Sequence, residues 1–525
     1  MTVQALDADA IVVGAGPVGA GAALLLARQG LRVRILDKSP TVYELPRALL
    51  LDGETTRSFQ RVGLGKDVEA MMHPWRETDA GTFANSRRET MFGMEIHEVG
   101  THGWRDAAFF DQPEFDARLR EWIEAEPLVE TRYGHQVTDL GESGSAAWVE
   151  HTDLGSGQRH RSTARWILGC DGASSFVRRH LGIAWRNLGY DHEWLVVDVE
   201  VEDPSLLPSV CMQVCDPARL ATFICGKDPY RRWEFRLLPG ESREEMSRPE
   251  TVQRLLDPWI ARDRYRLRRA VVYQFHAATA ERWQQGRIFL AGDSAHQTPP
   301  FLGQGLNAGF RDVANLGWKM PMVQRGLLPE SVLDTYQPER EEHGRELVEW
   351  AVAVGRLMDA MADAEAGRAE GPPPDDLMRS GYGQGRTVPP LRRGIVVEEQ
   401  VGDAGVTGYP LRQYFVAADG GGEVLLDEYL GPGFAVLARR AEDLACSAAN
   451  RAWFESLGGR FVALDGLPVA RGGMDRLFAL HPVAVVRPDR YVFGVVDDAH
   501  SLDALLERLR SNLQGASGPT PQGEH

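Results

Sequence analysis

The chain is poor in cysteine. Its 525 residues hold five (Cys170, Cys211, Cys215, Cys225 and Cys446), with no repeated spacing and no Cys-x-x-Cys pair. Such a set builds neither a disulfide framework nor a cysteine-rich zinc site, so no metal is expected. The thiols read as buried and reduced, which fits a cytoplasmic protein. Positive charge is also scarce: 58 Lys and Arg face 75 Asp and Glu, a net charge of −17. Without a basic field to attract phosphates, nucleic acid and anionic membrane are excluded as partners. There is no internal repeat. One apolar run, residues 10–27, approaches the length of a bilayer span. Asp7 and Asp9 precede it and glycines interrupt it at phosphate-loop spacing, so neither a signal peptide nor a membrane helix is expected.

What is present begins with that run. Ile11–Val13 reads as a strand, Gly14–Gly19 as a tight turn, Pro17–Gln29 as a helix ended by Gly30, and Leu31–Asp37 as a second strand. In the pattern Gly14-x-Gly16-x-x-Gly19, the first glycine permits the sharp turn. The second lets the backbone approach a pyrophosphate, and the third lets helix and strand pack closely. Asp37, ending the second strand, can accept both hydroxyls of an adenosine ribose. The pattern alone leaves NAD and FAD open.

A second segment, residues 287–307, narrows the choice. Its strand Ile288–Ala291 ends in Gly292 and Asp293, the latter placed to bond ribityl hydroxyls. Pro299 and Pro300 follow, then Gly303-Gln304-Gly305-Leu306-Asn307 entering a helix, whose N-terminal N–H groups can stabilise negative charge on a reduced flavin. A third segment, Gly169-Cys170-Asp171-Gly172-Ala173-Ser174-Ser175, lies between a strand and a helix. There Asp171 can fix the loop or touch ribose.

Along the rest of the chain, a helix is expected from Gln112 to Glu124 and a β-meander over residues 129–170. Strand-rich segments at 190–240 and 265–277 form one antiparallel sheet. A long helical stretch runs to about Ala364. The expected fold is α/β. A Rossmann-like FAD-binding domain (1–185 and 278–365) is interleaved with a substrate-binding β-sheet domain (186–277). A Gly- and Pro-rich linker (366–391), a third domain (392–513) and a disordered tail (514–525) follow.

Taken in order, the three glycine segments resemble those of the class A FAD-dependent aromatic hydroxylases. The resemblance is nearest to the 3-(3-hydroxyphenyl)propionate hydroxylases and related polyketide-tailoring hydroxylases. Further matching segments are Pro46-Arg47-Ala48, Arg232-Trp233-Glu234-Phe235 and Arg487-Pro488-Asp489-Arg490-Tyr491. The resemblance implies FAD as cofactor, with NADH or NADPH as transient reductant, and a para-hydroxybenzoate-hydroxylase-like architecture with a thioredoxin-like third domain. It implies that Arg47 and Gln112 contact FAD near its pyrophosphate or ribityl chain, and that Asp293 binds the same region. Pro300 would lie beside the isoalloxazine, and the Gly303–Asn307 backbone would bind its pyrimidine edge. The reaction implied is hydroxylation of a small phenolic ring with molecular oxygen, through a C4a-hydroperoxyflavin. Baeyer–Villiger oxidation, epoxidation and non-catalytic FAD binding share these motifs and stay open. A homodimer is a mild expectation.

For the substrate, Gln213 and Arg236 are candidate polar contacts. Met212 and Phe223 are candidate lining residues, with core packing as the competing reading. A base that deprotonates the phenol would come from among Gln213, Tyr190, His192, Glu234, Arg236 and His276. Arg231 and Arg232 read as surface charge.

Overall fold

The computed structural model describes residues 6–74, 76, 80–368, 388–402, 406–418, 421–473 and 475–515. Five parallel strands form the base of the first unit. In spatial order they are Ile288–Leu290, Trp166–Gly169, Ala10–Val13, Val33–Asp37 and Val129–Tyr133, with Gln284–Gln285 antiparallel at one edge. Ala10–Val13 is buried on both faces, as a continuous apolar run in a parallel sheet should be. The helix Pro17–Ala27 is apolar all round because it is buried all round. It packs between this sheet and the helix Gly305–Gln324, so closely that a Cβ on Gly21 would lie 2.5 Å from Phe310. A three-stranded antiparallel sheet, residues 135–164, holds the expected meander.

The second unit is an eight-stranded sheet. Its order is His296–Gln297, Tyr265–Ala280, Trp185–Val201, Tyr230–Arg236, Ala221–Ile224, Cys211–Val214, Ala80–Ala84 and Thr90–Glu95. This corrects the boundary of the substrate-binding domain, expected at 186–277. Ala80–Ala84 pairs parallel with Cys211–Val214 and antiparallel with Thr90–Glu95, so two strands come from the span 1–185 expected to belong to the FAD-binding domain. These strands are short, and the glycines within AGTFA and TMFGME weaken their signal.

The 30-residue helix Tyr336–Glu365 lies against both units. The third unit carries the four-stranded sheet Arg460–Ala463, Ala435–Ala438, Val483–Val486, Val492–Val495. Its first pair is parallel and the other two are antiparallel. Its apolar side chains, among them Phe434, Leu505 and Leu509, join one core with Leu316, Val332 and the first sheet. The helix Leu502–Gln514 runs into the segment expected to be a disordered tail. Residues 516–525 of that tail and 369–387 of the expected linker lie outside the described residues. Among the described residues, no helix is long and apolar enough to cross a membrane.

Candidate active site

Three loops meet at the carboxyl edge of the parallel sheet, because the strands that deliver them are neighbours. Gly14 N–H donates to the Leu36 carbonyl at 2.7 Å, and Cys170 N–H to the Val13 carbonyl at 2.8 Å. Ala291 N–H donates to the Gly169 carbonyl at 3.1 Å. Ser294 Oγ also donates to the Gly169 carbonyl, at 2.6 Å. Ligands of open α/β sheets bind along such an edge.

The three glycines of the first turn do different work. Gly14 has φ +102°, and an added Cβ would lie 2.4 Å from the Cys170 carbonyl oxygen. A Cβ on Gly19 would lie 1.9 Å from the Gly14 carbonyl oxygen. A Cβ on Gly16 would meet nothing within 4 Å. The protein's own packing therefore demands Gly14 and Gly19, while Gly16 borders open space at a helix N-terminus, where a phosphate can approach.

The acids are set around this edge. Asp37 accepts from the N–H of Ala15 at 2.6 Å and of Ser39 at 2.7 Å. Asp171 accepts from Val177 N–H at 3.0 Å, while its Oδ1 is buried with no hydrogen-bond partner among the described residues. Burial pushes the Asp171 carboxyl up, against the hydrogen bonds from Ser175 and Val177 that pull it down. Asp293 keeps an exposed surface yet is densely surrounded, as a residue in a deep cleft is. Burial pushes its carboxyl up, with His296 and Arg47 acting the other way. Gly292, at φ +65°, is held by Asp312, whose Oδ2 accepts from its N–H at 3.0 Å and pairs with His296 at 2.8 Å. Burial would raise the Asp312 carboxyl, but His296 and Arg340 hold it below the usual carboxylate range.

Pro300–Leu302 form one 3-10 turn ended by Gly303 at φ +62°. The first bond of the next helix runs from Ala308 N–H to the Gln304 carbonyl, so the N–H groups of Gly305, Leu306 and Asn307 precede its ladder. The Asn307 side chain is fully used by the protein. Its Oδ1 accepts from Asp52 N–H and Thr55 Oγ, and its Nδ2 donates to the Leu50 and Gly303 carbonyls. Only the backbone of Asn307 is left to meet a ligand.

Gln112 likewise acts on the chain. Its Oε1 accepts from the N–H groups of Arg47 and Ala48, at 2.9 and 2.7 Å, and so shapes the segment that carries Arg47. The Arg47 guanidinium lies over Tyr43 at the exposed end of that segment.

The eight-stranded sheet faces these loops. Arg232 donates to the Pro46 and Arg47 carbonyls and pairs with Asp198 at 2.6 Å. Arg269 pairs with the same carboxylate. Arg232 is 4% exposed and Arg231 2%, which corrects their reading as surface charge. The overlooked signal was Asp198, a charge within the apolar run Trp194–Val199. Gln213 donates to the Phe301 carbonyl at 3.3 Å and accepts from Thr222 Oγ at 2.6 Å. Phe301 in turn touches Tyr190, Trp194 and Phe275 edge-on.

Met212 and Phe223 do not belong to this face. They pair across neighbouring strands on the opposite side, where Phe223 stacks on Trp259, so they are core residues. Arg236 is committed to Asp359 and His192, which leaves it no free fork for a substrate carboxylate. His276 pairs with Asp191 at the exposed rim.

This is the arrangement of a dinucleotide-binding protein, with a second sheet set against its loops. The chain belongs to the FAD binding domain family, which matches residues 7–351, and residues 408–512 match the HcaD C-terminal domain. Its relatives over nearly the full length are aromatic hydroxylases. A probable NADH-specific resorcinol 4-hydroxylase of Rhodococcus jostii (strain RHA1) is 34% identical over 536 residues, covering 98% of this chain and 96% of that protein. A 3-(3-hydroxy-phenyl)propionate/3-hydroxycinnamic acid hydroxylase of Klebsiella pneumoniae is 31% identical over 548 residues, covering 98% and 97%. Among solved structures, aklavinone-11 hydroxylase with FAD and aklavinone shares the fold. Its TM-score is 0.80 at 23% identity, covering 97% of this chain and 100% of that one.

Proposed function

We propose that the protein is an FAD-dependent monooxygenase that hydroxylates a small phenolic ring, with NADH or NADPH as reductant and molecular oxygen as co-substrate. The observation that carries this is the convergence of the three glycine loops on one sheet edge, beneath a sheet bearing an aromatic cluster. The residues fit FAD. Gly16 leaves the open cradle, Asp171 the orphaned oxygen, and Gly305–Asn307 the unused N–H groups. Bound there, a flavin would supply the redox chemistry, hydride acceptance from a nicotinamide and activation of oxygen.

The chain's own residues bind and orient. Gly14 and Gly19 shape the turn at which Gly16 would admit the pyrophosphate, and Asp37 would accept from ribose. Asp171, Gly292 and Asp293 meet the middle of the cofactor. Gly305, Leu306 and Asn307 would offer backbone N–H groups to its pyrimidine edge, next to Gly303, whose own N–H closes the preceding turn on the Pro300 carbonyl. Arg47 and Pro300 would flank the reacting end, the Arg47 backbone held in place by Gln112. Gln213 lines the substrate side, and the cluster around Phe301 excludes water from the ring being oxidised. The names of the relatives favour resorcinol or 3-(3-hydroxyphenyl)propionate as the ring, and NADH as reductant.

The third unit is read as thioredoxin-like, supported by its parallel pair followed by two antiparallel strands. Cysteines that form no disulfide among the described residues support a cytoplasmic location. The assembly is read as a homodimer, which light scattering would check. The test of function is direct: purified yellow protein should oxidise NADH faster when either phenol is added and yield a ring-hydroxylated product. Colourless protein with no affinity for FAD would overturn the reading.

A further inference from the structure

On the strand Tyr230–Arg236, Trp233 and Phe235 enter the core behind the sheet, while Arg232, Glu234 and Arg236 face the FAD-binding unit. Arg232 is tied to the Pro46 and Arg47 carbonyls on one side of Glu234. Gln213, paired with Thr222 on the same face, is tied to the Phe301 carbonyl on the other. Glu234 sits opposite Thr222 and Val196, between these two anchors. It therefore lies on the sheet face that meets the Arg47 segment through Arg232 and the Pro300–Gly303 turn through Gln213. The row containing it runs through Val196 to Val271, which is 38% exposed, so the row reaches the protein surface on that side.

Arg236 and Asp198, the other charges nearest on this face, have close partners, but Glu234 is left over. It is 2% exposed, and among the described residues the only cation within 4 Å is Arg232, at 3.8 Å and already paired with Asp198. A buried carboxyl with no close partner costs stability, and that cost marks a site held for something other than folding. The charged groups around it are Arg232, Asp198 and Arg269 on the sheet and Arg236 with Asp359 beside it. On the facing loop stands Arg47, turned onto Tyr43.

We propose that Glu234 is the catalytic residue that takes the proton from the ring hydroxyl of the bound phenol. The phenolic O–H bond breaks, an O–H bond to the carboxylate forms, and the negative charge passes to the ring oxygen, leaving an electron-rich ring. No oxidant or reductant enters this step. The assignment rests on the phenol-hydroxylase reading above. Burial pushes the Glu234 carboxyl up to about 7, while Arg232 and Arg269 pull it down and Asp198 adds to the rise. A base is most effective with such a value near working pH.

The experiment compares full-length, flavin-loaded wild type with Glu234→Gln and Glu234→Asp, using resorcinol and 3-(3-hydroxyphenyl)propionate. Glu234→Gln is isosteric and removes a buried charge, so it should keep its flavin and its thermal midpoint. Its hydroxylated product per unit time should fall about 100-fold or more. The wild-type rise in rate through about pH 7 should vanish, with rate returning only as the phenol ionises by itself. Independently of turnover, ultraviolet difference spectra at pH 8 should show bound phenolate in wild type and neutral phenol in Glu234→Gln. Glu234→Asp should recover part of both signals. A Glu234→Gln protein with wild-type rate, pH limb and phenolate band overturns the assignment of Glu234. A wild-type protein that neither binds nor hydroxylates these phenols removes the underlying function and this proposal with it.

Discussion

The backbone N–H of Ala15 donates to Oδ2 of Asp37 at 2.6 Å, which fastens the glycine turn to the end of the neighbouring strand. Oδ1 takes the Ser39 N–H at 2.7 Å, so each carboxylate oxygen holds one protein donor and has a lone pair left for a hydroxyl. Asp37 thus both closes the turn and can receive ribose. Replacing it with Ala removes both functions. Hydrogen bonds to a charged group contribute about 1.5–3 kcal/mol, so FAD should bind roughly 10- to 100-fold more weakly. Titration of stripped protein with FAD measures this; unchanged affinity would confine Asp37 to closing the turn.

Gly14 and Gly16 should respond in opposite ways. Gly14→Ala forces a side chain onto φ +102° and against the Cys170 carbonyl oxygen, so it should lower stability by about 1–3 kcal/mol. Gly16 has φ −68° and ψ 176°, which valine adopts freely, and its Cβ would point into open space. Gly16→Val should therefore keep the thermal midpoint of the flavin-free protein and lose flavin. Melting curves with and without FAD separate the two. A Gly16→Val protein that purifies fully yellow would mean that no phosphate passes there.

Much of this site was legible from sequence because each loop follows a short apolar strand and opens on glycine. Local chemistry there is strong, and strand adjacency does the rest. What was not legible depends on distant partners. The backbone at Asn307 was expected to meet the flavin, but the task of its side chain was not visible: the amide is consumed by Asp52, Thr55, Leu50 and Gly303, only the last of them nearby in sequence. Arg232 looked like surface charge until Asp198 and the Pro46 carbonyl met it across strands. Met212 and Phe223 had the right chemistry for a pocket but the wrong face, which strand register alone decides. The strands Ala80–Ala84 and Thr90–Glu95 were lost because they carry glycine and pair with residues far along the chain.

Asp427 in the third unit receives both arms of Arg57 from the first, at 2.8 and 2.7 Å, and Arg490 lies 3.2 Å away. All three are buried. Burial would raise the Asp427 carboxyl, but Arg490 and Arg57 hold it well below the usual carboxylate range. The folded form therefore gains stability above the unfolded value, about 3.9, and loses it as pH falls from there toward the lower folded value. Asp427→Asn leaves two buried guanidinium groups uncompensated and should cost about 3–5 kcal/mol at pH 7. The gap from wild type should narrow below about pH 4. Thermal midpoints across pH check the sign, and a gap that widens in acid would contradict it.

Removing residues from 392 onward should damage assembly of the protein before it damages chemistry. Among the described residues, no group of the third unit stands among the loops that meet at the sheet edge. The cut nevertheless strips Phe434 from Trp318 and Leu505 and Leu509 from the shared core, exposing apolar surface. It also takes Arg487 from Glu339, leaving that carboxylate with Lys319, and takes Asp427 from Arg57. Apolar exposure and unpaired buried charge act in the same direction, so the shortened chain should aggregate on expression. Any soluble fraction should carry less flavin than the full chain. Soluble yield and flavin-to-protein absorbance measure both. A truncated protein that stays soluble, yellow and as stable as the parent would show that the interface contributes little to the fold of the FAD-binding unit.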